Sequence, residues 1–132
     1  MRNIYIKTFA IIVMLIGWPI SGMTANDNMT EDSPIPQMAG ILYDLNHYPD
    51  DEGKIILKDI IDDESASSNE KTLAGAILRF EHKVNSDDEK ELKEIIGSSD
   101  ASEDEKDLAA IILSMSHHPT DNDKKRLTEM MK

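Results

Sequence analysis

The chain has 132 residues, with 14 Lys+Arg against 26 Asp+Glu and a formal charge of -12. That length allows one domain or one short repeat array, and the acidic balance sets nucleic acid and anionic membrane surfaces aside as partners. The absence of Cys, with only three Tyr, two Phe and one Trp, excludes a disulfide scaffold, a thiolate metal site, a Cys nucleophile and an aromatic platform for bases.

The first 25 residues read differently from the rest. They hold no acid, start with Arg2 and Lys7, run apolar from Thr8 to Trp18, and end in small residues around Ser21 to Ala25. This is the pattern of a secretory signal peptide. The apolar run, about 11 residues, falls short of the ~20 needed to span a bilayer. Cleavage is expected near Ala25, which predicts a periplasmic or secreted protein with no membrane insertion after processing. Residues 26–132 keep all 26 acids and lose two bases, for a charge of -14 over 107 residues. An exported chain without disulfides needs a core from another source.

Repetition supplies that source. After a flexible leader, 26–31, the segments 32–66, 67–101 and 102–132 align without gaps at an offset of 35. Ala39, Ala74 and Ala109 occupy one column, His47, His82 and His117 a second, and Leu57, Leu92 and Leu127 a third. Met38/Leu73/Leu108, Leu42/Ile77/Ile112 and Leu45/Phe80/Met115 stay apolar. Each copy reads as two helices. Asp32-Ser33-Pro34 starts the first copy with Pro at an early helical position. Ser67-x-x-Glu70 and Ser102-x-x-Glu105 are capping boxes that start the next two. Apolar residues at Leu73, Ile77, Phe80 and Val84 keep helical spacing. The turn after each first helix contains Pro49, Asn85-Ser86 or Pro119. Ser86-Asp87-Asp88-Glu89 reads as another capping box, opening a short second helix with Leu92, Ile95 and Ile96 inward. The period is close to that of the tetratricopeptide repeat, but its aromatic and Ala–Pro signature is absent, so no family is assigned.

The fold expected is all-α: three helical hairpins stacked as a short right-handed solenoid, with a closed six-helix bundle as the alternative. The repeated Ala, His and Leu columns are read as structural. Three imidazoles suggest zinc, but hairpins stacked about 10 Å apart keep equivalent side chains too far apart for one ion. Each His is therefore expected to satisfy carbonyls at the end of its helix. The acidic turns lack the alternation and central Gly of a calcium loop, so no metal site and no cofactor are expected. No phosphate loop, nucleophile elbow or zinc-protease motif is present, and no catalytic residue is expected.

Differences between the copies point to partners. Ile55-Ile56 stand where the other copies carry Lys90-Glu91 and Lys125-Arg126, and need cover from the leader or from a partner. Met130-Met131 end the last helix with no further repeat to shield them, which invites association of terminal repeats. Ile55, Ile56, Met130 and Met131 are thus the candidate contact residues. The reading is an exported acidic protein-binding module, not an enzyme, in an inhibitor, immunity, chaperone-like or adaptor role toward a basic protein. A secreted effector or stress-response factor is the alternative.

Overall fold

Capping fixes the helix starts. Ser67 accepts from the Glu70 N–H while Glu70 accepts from the Ser67 N–H, and Ser102 with Glu105 repeats the arrangement. Both boxes are where the sequence places them. In the middle copy the cap is Asn85 rather than Ser86: its side chain accepts from the N–H groups of Asp87 and Asp88. Asn caps at least as well as Ser, and Ser86 becomes the first helical residue. Asp50 caps through Gly53 N at 2.7 Å, and Thr120 forms a capping box with Asp123.

The computed structural model describes residues 33–132. The expected signal peptide and leader lie outside the described residues. Six helices follow in order: α1 Pro34–Asp44, α2 Asp51–Asp62, α3 Ser68–Leu78, α4 Ser86–Gly97, α5 Glu103–Ser114 and α6 Asp121–Met130. The described residues contain no strand, only isolated bridges in the turns. No helix among them is long and apolar enough to cross a membrane.

The first helices of the three copies, α1, α3 and α5, touch one another and form an inner layer. The second helices do not touch each other. Each packs chiefly on the first helix of the following copy, α2 on α3 and α4 on α5, and α6 packs back on α1. That last contact departs from the expected open stack, whose ends would stay apart. It is compatible with the alternative, a closed six-helix bundle. Lys124 of α6, 4.8 Å above the Tyr43 ring of α1, adds a cation–π contact at the seam.

The repeated columns build the core. Ala39, Ala74 and Ala109 are fully buried, as are Leu57, Leu92 and Leu127. Leu42, Ile77 and Ile112 form another buried layer, followed by Leu45, Phe80 and Met115. Closure changes the fate of the C-terminus. Met130, expected to be unshielded, is buried, and only Met131 stays exposed. Ile96 is exposed like Met131 and is not part of the inward stripe, whereas Ile61 at the same repeat position packs partly against the core. Ile55 is 61% exposed, whereas Ile56 is half-buried against the core.

Glu105 is buried and ties two copies together. Beyond its cap it accepts from Ser67 Oγ at 3.1 Å and Asn69 Nδ2 at 3.2 Å. Among the described residues no buried side-chain polar atom lacks a partner.

Candidate functional site: three converging histidines

Each first helix ends before its His. Asp44, Leu78 and Ser114 close α1, α3 and α5, so His47, His82 and His117 lie in the connections, not in the last helical turns. All three have left-handed backbones, with φ of 71°, 63° and 66°, and they are the positive-φ residues other than Gly among those described. In the second and third copies the chain bends over a single residue. Lys83 N–H donates to Glu81 C=O at 2.6 Å, and His118 N–H to Ser116 C=O at 2.7 Å, each across its His. With positive φ at the centre this is the rare, strained form of the γ-turn. Gly would take such a backbone at no steric cost, yet the chain places His there three times.

The bends point the histidines at one another. His82 N–H donates to His47 C=O at 2.9 Å, His117 N–H to His82 C=O at 2.6 Å, and His47 N–H to His117 C=O at 2.6 Å. These three main-chain bonds close a cycle with one residue from each repeat. The cycle over-determines the strained backbone, as such conformations require.

The rings gather in the same place. Every pair of ring centroids is 5.1 Å apart, at interplanar angles of 90°, 61° and 68°. His82 Nδ1 and His117 Nδ1 are 3.2 Å apart, and one nitrogen from each ring lies within 4.8 Å of the others. This overturns the expectation that the column stays dispersed. The spacing argument assumed translation along a stack, whereas the copies meet around a common centre.

The distances suit an ion. Three imidazole nitrogens at ~2.0–2.1 Å from zinc, at tetrahedral angles, stand about 3.3 Å apart and hold their ring centroids about 5.2 Å apart. The ring separations already have that value, and the 3.2 Å between His82 Nδ1 and His117 Nδ1 matches the nitrogen separation. His47 Nδ1 lies 2.7 Å from Asn46 Oδ1. A donor bond there leaves Nε2 free for a ligand role and holds the ring in place, as outer-shell partners of a metal-bound His do. His82 and His117 are exposed and His47 half-buried, so the site opens to solvent. His118 is not part of it; its Nδ1 faces Pro119 C=O at 3.2 Å.

The other sequence candidates lie elsewhere. Ile55 and Ile56 sit on α2, and Met130 and Met131 at the end of α6. Asn46 was missed by sequence reasoning, because its role depends on where its neighbour's ring points. No protein-family model, curated protein or solved structure matches the chain.

Proposed function

We propose that this chain is a metal-binding protein whose three central histidines hold one zinc ion, or a neighbouring late first-row divalent ion, with water completing the shell. The observation that carries this reading is the convergence of His47, His82 and His117, with all three rings 5.1 Å apart. A set of three neutral imidazoles suits zinc, copper(II) and nickel, while magnesium and calcium prefer oxygen. Three protein ligands leave one position open. An exposed site exchanges ions directly with solvent, which favours capture or delivery over a sealed structural role. The charge of -12 attracts cations to the surface. The signal-like N-terminus supports a setting in the periplasm or outside the cell. We read the chain as a binder and not as an enzyme.

Isothermal titration of zinc into the metal-free chain tests the proposal. One ion per chain is expected, with binding lost in His82→Gly while the helical spectrum persists. Absence of a saturable one-to-one phase, or its retention in His82→Gly/His117→Gly, contradicts it.

A second reading is protein binding, with a basic protein as partner in an inhibitor, chaperone-like, adaptor or effector role. Its support is the exposed Ile55 together with the exposed ring of Tyr48, 59% accessible.

A further inference from the structure

The three copies differ in how their two helices are joined across the outer groove. In the second copy Arg79 of α3 reaches the buried carboxylate of Asp88 on α4, with Nε to Oδ2 at 3.1 Å. In the third copy Arg126 of α6 reaches Asp107 of α5 at 2.5 Å. The first copy has neither pair. At the offset of 35 the positions of Arg79 and Asp88 are taken by Asp44 and Gly53, and those of Asp107 and Arg126 by Gln37 and Ile56. The first copy has a cleft of about 440 Å³ between α1 and α2; the second copy has a groove of about 490 Å³ at the corresponding place, but there Lys71, Arg79 and Glu91 line it.

The chemistry of that cleft is specific. Its apolar wall includes Ile41, Leu45 and Ile56, and its backbone floor is Gly53. Asp44, Asp50 and Glu52 also line it, with no Lys or Arg among the lining residues. Asp50 spends one oxygen on the Gly53 N–H, while Asp44 and Glu52 remain exposed. Apolar space edged by carboxylates calls for an apolar side chain next to a cation. The leader fits poorly, because it carries Asp27 and Glu31 and no base.

We propose that the α1–α2 cleft docks a basic segment of another protein, which inserts an apolar side chain against Ile41 and Ile56 and sets a Lys or Arg against Asp44. The guanidinium or ammonium takes the role that Arg79 and Arg126 play in the other copies. This rests on the protein-binding reading and names the partner's chemistry; the cleft adjoins the histidine site through Asn46, which lines it and also contacts His47.

The test is amide-resolved NMR on the full chain with three synthetic pentapeptides, Lys-Leu-Arg-Leu-Lys, its Gln-for-cation analogue and its Glu-for-cation analogue. The expected result is saturable shifts centred on Gly40, Gly53 and Ile56, strongest for the basic peptide, absent for the acidic one and weakened by salt. Gln37→Asp/Ile56→Arg, which installs the third copy's ion pair, is expected to weaken binding at least tenfold with zinc binding unchanged. Should that variant fold poorly, Asp44→Lys is expected to weaken binding similarly. Equal shifts with the acidic peptide, full binding in the folded variants, or contacts between the Met29 methyl and the cleft without peptide would overturn the proposal. Saturable binding confined to another face would overturn the cleft and leave the protein-binding reading standing.

Discussion

The N–H of His47, in the first repeat, donates to the carbonyl of His117, in the last, at 2.6 Å. That bond is what an open stack could not make. It joins the ends of the array at the point where the three imidazoles meet, so closure of the fold and assembly of the site are one event.

Backbone strain at the triad separates its structural part from its chemical part. A non-Gly residue at positive φ costs about 1–2 kcal/mol, and Gly relieves this while adding about 0.5–1 kcal/mol of unfolded-state entropy. His82→Gly is therefore expected to stay within about 1 kcal/mol of the parent in urea unfolding while losing its ligand. His82→Val, β-branched and ill-suited to that backbone, is expected to lose about 2 kcal/mol. A large loss in the Gly variant would mean that the ring itself holds the fold.

Met130 and Met131 test closure from the other end. Met130 is 4% exposed and Met131 39%. Met130→Ala is expected to cost about 2–4 kcal/mol, and Met131→Ala less than about 1 kcal/mol. Equal and small losses would place the last helix away from α1. Chemical denaturation of the two variants gives the answer.

Glu105 staples the second copy to the third through Ser67 and Asn69, while also capping α5. Removing it takes one buried acceptor from three donors at once: the Ser102 N–H, the Ser67 hydroxyl and the half-buried Asn69 amide. Glu105→Ala is expected to lose about 2–3 kcal/mol, more than the about 1 kcal/mol typical of a cap alone. A double-mutant cycle with Asn69→Ala should show coupling, and strict additivity would refute the staple.

The Arg79–Asp88 pair makes an asymmetric prediction. The hydrogen bond to Asp88 raises the Arg79 pKa, ahead of the opposing effect of burial, so the guanidinium stays charged. Arg79→Ala leaves a buried carboxylate with Asn85 Nδ2 at 2.5 Å as its side-chain donor. A loss of about 1–3 kcal/mol is expected. Arg79→Lys should recover only part of it, because an ammonium cannot make the two-pronged contact. Melting temperatures of the two variants check the order.

Helices, core columns and the two boxes at Ser67 and Ser102 were legible in the sequence because each depends on local spacing or on the period; the box read at Ser86 was not formed, because Asn85 one residue earlier caps instead. Ser67 with Glu70 and the inward Leu57, Leu92 and Leu127 needed only spacing and period. Closure was not legible. It depends on the rotation between successive hairpins, which many small contacts set together, such as Lys124 over Tyr43. The site was half legible: the invariant His column was visible, but its convergence followed from closure, and its positive φ from the bend each connection makes. The cleft left a trace in the columns, since Gly53 and Ile56 replace an acid and a base. Pairing that trace with Arg79–Asp88 required knowing which side chains face each other.

The most direct measurement is zinc K-edge X-ray absorption on the chain loaded with one equivalent of zinc. The account predicts three imidazoles and one oxygen at about 2.0 Å, with outer-shell scattering from the rings. In His82→Gly that ring scattering should fall away. An oxygen-only shell, with no imidazole scattering in the parent chain, would place the ion on the acidic surface and contradict the account.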